Sequence, residues 1–154
     1  MEKIAIFPGS FDPFTIGHES IVRRAIPLFD KIIVAIGYNS AKSGYFPLEK
    51  RKSWIEDIFR NDKSIIVDTY EDLTANFCRL KNAAYILRGL RTAADFEYER
   101  AIAQMNKMLE QQIETIFILT KPEHSFISST IVREVIKYGG DASKFVPKEI
   151  DLNI

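Results

Sequence analysis

One cysteine, two histidines and one tryptophan are all that the 154 residues hold of these types. A lone thiol, Cys78, cannot close an internal disulfide, and it shares no metal-ligand spacing with either histidine. It reads as a small apolar residue on a helix. An excess of one charge sign is missing as well. Lys plus Arg and Asp plus Glu number 21 each, which excludes nucleic-acid binding through a global basic field and leaves only a local basic cleft. No apolar run approaches a membrane span, and residues 1–8 are too short in their apolar part for a signal peptide. A soluble cytoplasmic protein with no membrane partner is the expectation. Repeats, low-complexity tracts and linkers are absent too. With 46% hydrophobic residues the chain can bury a core, and a single domain over 1–154 is expected.

Short runs of Ile, Val, Leu, Phe and Tyr at 3–7, 31–38, 64–70, 84–88 and 114–120 read as strands buried on both faces. Helical patterns separate them. The first carries His18, Ile21, Val22, Ala25, Ile26 and Phe29 on one face. The second spans 47–60, opens with Pro47 and carries Trp54, Ile55, Ile58 and Phe59. The third spans 72–82 with Asp72 as its N-cap. The fourth, 92–111, has the apolar stripe Tyr98, Ala101, Ile102, Met105, Met108 and Leu109. The last starts at Ser128 or Ser129 and ends at Gly139 and Gly140, and a short helix from Pro147 closes the chain. Five alternations predict an α/β fold: a Rossmann-like, doubly wound, five-stranded parallel sheet with helices on both faces. Ligands of such a sheet bind beyond the carboxyl ends of its strands.

That rule singles out Gly9-Ser10-Phe11-Asp12-Pro13-Phe14-Thr15-Ile16-Gly17-His18, which leads from the first strand into the first helix. Unpaired amides and the positive dipole end of a helix suit phosphate, and Gly17 permits close approach. His18 at that end is expected to be neutral, since the dipole opposes a second positive charge. Leu87-Arg88-Gly89-Leu90-Arg91 ends the fourth strand, with two guanidiniums shaped for phosphate oxygens. Asp95-Phe96-Glu97-Tyr98-Glu99 follows. There the helix dipole alone accounts for the acids, or else Glu99 binds a ribose hydroxyl or orients Arg91. After the fifth strand, His124-Ser125-Phe126-Ile127-Ser128-Ser129-Thr130 enters a helix through three hydroxyls, either a second phosphate cradle or plain capping by Ser128. Arg133 beyond it reads as a surface residue. Lys42, in the loop after the second strand, is a candidate only through its nearness to the same edge. No metal-ligand cluster, nucleophilic triad or general-base dyad stands out. The inventory suits stabilisation of charge on a transferring nucleotidyl group.

Thr15-Ile16-Gly17-His18 and Ile127-Ser128-Ser129-Thr130-Ile131-Val132-Arg133 resemble the (T/H)xGH and ISSSxxR-like signatures of a nucleotidyltransferase superfamily. PGSFDPFTIGH, LRGLR, DFEYE and SFISST, in that order and spacing from about residue 3 to 147, resemble the bacterial phosphopantetheine adenylyltransferase family. The resemblance implies reversible transfer of AMP from ATP to 4'-phosphopantetheine, giving dephospho-coenzyme A and pyrophosphate, with Mg²⁺ as cofactor. It implies catalytic roles for His18, Lys42 and Arg91. ATP contacts would come from Ser10, Phe11, His18, Gly89, Leu90, Arg91, Glu99 and His124, Ser125, Phe126, Ile127, Ser128, Ser129 and Thr130. Acceptor contacts would come from Ser10, Lys42, Thr74 and Arg88. A homohexamer and feedback inhibition by coenzyme A are implied as well.

Four positions depart from the family's usual residues: Thr130 for serine, His124 for tryptophan, Ser40 for proline and Thr74 for an apolar side chain. They imply altered adenine packing, a less rigid Lys42 loop and a more polar channel wall. Competing readings are a related transferase for nicotinate mononucleotide or glycerol phosphate, and a catalytically silent nucleotide-binding module. Arg88-Gly89-Leu90-Arg91 and the DFEYE segment argue against the first. Retention of His18, Lys42 and Arg91 argues against the second.

Overall fold

A computed structural model describes residues 1–153. Strands β1 (Ile4–Gly9), β2 (Lys31–Gly37), β3 (Ile65–Tyr70), β4 (Tyr85–Leu90) and β5 (Glu114–Leu119) form one parallel sheet in the order β3-β2-β1-β4-β5. Helices α1 (Ile16–Ala25), α2 (Leu48–Ile58), α3 (Thr74–Leu80), α4 (Ala93–Leu109) and α5 (Ser129–Lys137) alternate with them. The order reverses between β1 and β4, so the ligand crevice of this fold lies beyond the ends of those two strands. Their ladder spans only Ala5–Tyr85 and Ile6–Ile86. Past that point β1 runs on through Pro8 with no β4 partner to satisfy.

Alternation along the strands divides the core. Ala5, Phe7, Ile32, Val34 and Ile36 pack with Ile21, Val22, Trp54, Ile55 and Val132 of α1, α2 and α5. Ile4, Ile6, Ile33 and Ala35 pack with Ala75, Phe77 and Cys78 of α3 on the other face. Cys78 is fully buried there, as a small apolar residue.

Several boundaries depart from the sequence reading. β1 and β4 each run two residues further than the apolar runs, because Pro8, Gly9 and Gly89 resemble breakers but lie at strand ends where fewer ladder bonds are needed. Pro27, lacking an N–H, turns the end of α1 into a 3-10 turn over Ile26–Leu28. Pro47 is the N-cap of α2 rather than its first residue, and Leu73 rather than Asp72 caps α3. Asp72 instead accepts from the Leu73 amide and from Asn76. No helix starts at Pro147. A 3-10 turn at Ser143–Phe145 precedes it. The α5 terminus forms a Schellman motif: Gly139 adopts φ 77°, and the Gly140 amide reaches the Val135 carbonyl at 2.8 Å.

The largest departure is α4. Its apolar stripe faces outward, with exposures from 37% at Ile102 to 83% at Met108, and only Glu99 on this helix is buried. Periodicity shows that a helix has an apolar face; it does not show that this chain covers it.

Candidate active site

The β1–α1 loop is held from outside by its carbonyls. Arg51 Nη1 donates to the Ser10 carbonyl at 2.7 Å, Arg133 Nη1 to the Asp12 carbonyl at 2.7 Å, and the Ser129 hydroxyl to the Pro13 carbonyl at 2.8 Å. Three side chains from α2 and α5 thus turn these oxygens away from the crevice. Arg133 is therefore a loop anchor and not a surface charge. Arg51 has no counterpart in the sequence reading, since an arginine on an amphipathic helix looks like a solvated residue. Within the loop Phe11 is buried at φ 46°, its ring 5.2 Å from Phe7 and Phe14 and 5.0 Å from His18. Gly9 makes room for it, since a Cβ there would lie 2.8 Å from that ring.

His18 is the third residue of α1 and completes a capping box with Thr15. The Thr15 amide lies 3.0 Å from Nδ1, and the Thr15 hydroxyl caps the His18 amide at 3.3 Å. A backbone N–H only donates, so Nδ1 is the acceptor and the proton sits on Nε2. Burial, aided by Arg88 and Arg91, pushes the imidazole pKa from 6.5 down to about 3. The ring is a neutral donor, as expected, though desolvation outweighs the charge effects. The folded state thus resists a proton that the unfolded chain accepts below about pH 6.5. His18's contribution to stability is whole above that pH and is lost progressively toward about 3. Nitrogen-15 NMR at pH 5 should show His18 still neutral and Nε2-protonated. An imidazolium there would overturn the assignment.

At the end of β4, Arg88 is oriented on three sides. Nε and Nη2 grip Glu99 at 2.9 and 2.6 Å, and Nη1 donates to the Pro8 carbonyl at 2.6 Å. Arg91 leans instead on Asp95, its Nε 3.3 Å from the carboxylate, which also accepts the Arg91 amide at 3.1 Å. Glu99 therefore orients Arg88 and not Arg91, because the helix places Asp95 beside Arg91 and brings Glu99 round one turn later. Each guanidinium enters the crevice backed by a carboxylate.

The crevice has two lobes meeting at Pro8, Gly9, Ser10, Arg88 and Glu99. The larger, about 640 Å³, gathers Ser10, Phe11, His18, Gly89, Arg91, His124, Ile127, Ser128, Ser129 and Thr130. Thr15, Gly17, Asp95, Tyr98 and Thr120 also line it. A Cβ on Gly17 would meet only ordinary contacts within the protein, so the space it spares belongs to the crevice. The expected triplet of hydroxyls is already engaged. Ser128 caps the Ile131 amide, Ser129 holds Pro13, and Thr130 accepts from Arg133. Unpaired amides of the α5 first turn remain for a phosphate. His124 Nδ1 is buried with no partner among the described residues.

The smaller lobe, about 280 Å³, is lined by Thr74, Tyr70, Ile86, Ile102 and Asn106. The Thr74 hydroxyl is paired with that of Tyr70 at 2.8 Å, which absorbs its polarity into the wall. Four expected residues lie outside both lobes. Leu90 lines neither, and Ser125 bonds back to the Pro122 carbonyl. Phe126 is 56% exposed and packs on Phe145. Lys42 lines a separate cavity of about 300 Å³ with Tyr38, Tyr45, Leu48 and Arg51. The loop that carries Lys42 has no period to place it from sequence.

The cytidylyltransferase-like family model matches residues 6–135. A phosphopantetheine adenylyltransferase of Flavobacterium psychrophilum is 55% identical over 95% of this chain and 96% of its own. That of Cytophaga hutchinsonii is 49% identical over 97% and 100%. Among solved structures, the Plasmodium falciparum nicotinic acid mononucleotide adenylyltransferase complexed with APC superposes with TM-score 0.66 at 19% identity, covering 96% and 92% of the two chains. A bifunctional NMN adenylyltransferase/ADP ribose pyrophosphatase from Francisella tularensis gives 0.68 at 18%, covering 95% of this chain and 45% of that one. At such identities the superpositions establish a common fold and nothing finer.

Proposed function

This chain belongs to the phosphopantetheine adenylyltransferases, and from that premise we propose how its own crevice divides the adenylyl transfer of coenzyme A biosynthesis. ATP occupies the larger lobe and the arm of 4'-phosphopantetheine the smaller. The two reacting phosphates meet at the shared wall of Ser10, Arg88 and Glu99. An acceptor phosphate oxygen attacks the α-phosphorus of ATP in line, and the bond from that phosphorus to the bridging oxygen breaks. Dephospho-coenzyme A and pyrophosphate leave without a covalent enzyme intermediate. His18 donates from Nε2 to an α-phosphate oxygen as its charge grows, while Arg91 and the α1 and α5 amides hold the departing pyrophosphate. Ser10, Thr74 and Arg88 contact the acceptor, and Lys42 reaches its phosphate from the loop between β2 and α2. The two-lobed shape around one guanidinium carries this reading.

Among the described residues no group of three His, Cys, Asp or Glu is placed to hold a metal. Mg²⁺ enters with ATP, coordinated by the substrate's own phosphates. The exposed stripe of α4 supports self-association, for which the homohexamer is the proposed state. Coenzyme A, sharing the pantetheine arm, would compete for the smaller lobe. No helix of the described residues is long and apolar enough to cross a membrane, and the cytoplasm, where ATP is at hand, is the proposed compartment.

Pyrophosphate release from Mg·ATP tests the reading, with 4'-phosphopantetheine, nicotinate mononucleotide and glycerol 3-phosphate as rival acceptors. Release with the first alone is expected; release with another reassigns the acceptor. Arg88→Ala should weaken acceptor binding by about ten- to a hundredfold, the range of a hydrogen bond to a charged group, with a smaller loss for ATP. Titration calorimetry on both ligands checks it, and equal losses would place Arg88 on the wrong substrate.

A further inference from the structure

We propose that Asp12 and Glu71 are positioning residues that set the reach of Lys42. This rests on the reading of Lys42 as a contact to the acceptor phosphate. Lys42 stands on the loop between β2 and α2, and carboxylates fasten that loop at both ends. On the near side the Ser40 amide donates to Glu71 Oε1 at 2.6 Å. On the far side the Tyr45 and Phe46 amides donate to Asp12 Oδ2 and Oδ1 at 2.7 and 2.8 Å. Asp12 is only 7% exposed. Between the two clamps, the Ala41 and Lys42 amides close a turn onto the Asn39 side chain and carbonyl, each at 2.9 Å. Ser43 and Gly44 link that turn to the Asp12 clamp. Gly44 is needed there, since a Cβ would lie 2.9 Å from Asp12 Oδ2 and 2.8 Å from Arg51 Nη2.

Between the clamped amides lie only residues 41–44, four residues of at most about 3.6 Å each. Ends fixed this way confine the Lys42 backbone to an arc of a few ångströms. Asp12 is also two residues from Ser10, and its carbonyl is held by Arg133, so one clamp is part of the wall where the phosphates meet. The Ser40 amide explains a departure noted above. A proline there would stiffen the loop but carry no N–H, whereas serine keeps the donor that Glu71 uses.

The test is steady-state kinetics with Mg·ATP and 4'-phosphopantetheine on Lys42→Ala, Glu71→Ala, Glu71→Gln, Asp12→Asn and the doubles with Lys42→Ala. Glu71 is exposed, so its variants fold even if Asp12→Asn does not. Lys42→Ala should lower kcat/KM for the acceptor about tenfold or more with the KM for ATP unchanged. Glu71→Ala should lower it about two- to tenfold, and Glu71→Gln, which keeps an acceptor oxygen, should restore most of that. Neither Glu71→Ala nor Asp12→Asn should add to the loss in Lys42→Ala. Additive losses, or a Glu71→Ala variant equal to wild type, would overturn the positioning role while leaving that of Lys42. A Lys42→Ala enzyme equal to wild type would overturn both.

Discussion

His18→Ala is expected to lower kcat by about 10²–10³ while leaving ATP affinity within a few-fold, the pattern of a donor that matters mainly in the transition state. The structure sharpens the reason. Thr15 takes Nδ1, the proton is confined to Nε2, and burial beside two arginines keeps the ring neutral. A neutral donor strengthens its bond as negative charge builds without holding the ground state tightly. Single-turnover rates at saturating Mg·ATP, with calorimetric ATP affinity alongside, make the check. A rate within a few-fold of wild type would end the assignment.

Arg51→Ala should be the most damaging single change to stability. The residue is 5% exposed, and its guanidinium donates to the Phe46 and Ser10 carbonyls at 3.0 and 2.7 Å and lies 3.9 Å from Asp12. Alanine would strand two carbonyls and take the counter-charge from the buried Asp12 carboxylate, which keeps its two amide donors, a loss of about 3–5 kcal/mol. At about 2–4 °C per kcal/mol for a chain of this size, Tm should fall by about 6–20 °C. Arg51→Lys should recover only part of this, since an ammonium lacks the fork that spans both carbonyls. Thermal melts by circular dichroism decide, and a drop of under about 2 °C would mean that the β1–α1 loop does not depend on Arg51.

The sheet, its helices on both faces and the crevice were legible because strands buried on both sides run apolar and each ends near a Gly, Pro or polar cluster. Leu87 through Arg91 and the segment around His18 could be placed at strand ends by that rule alone. Three things were not legible, each for a physical reason. Partners for Arg51 and Arg133 are backbone carbonyls, which every residue has, so no side-chain pattern marks them. Which carboxylate serves which arginine depends on the turn of α4 relative to β4, a tertiary quantity. Whether the α4 stripe is covered depends on what lies outside the chain.

The capping box of α1 has a consequence of its own. Its third position ordinarily carries Glu or Gln, whose only duty is to the helix. Here one ring holds the helix cap through Nδ1, and in the proposed reaction its Nε2 is left for the substrate. An imidazole protonated on Nδ1 could not accept the Thr15 amide, so the helix cap favours the Nε2 tautomer. Fold and turnover should come apart at this one residue: His18→Gln should restore the latch lost in His18→Ala and still leave kcat far below wild type.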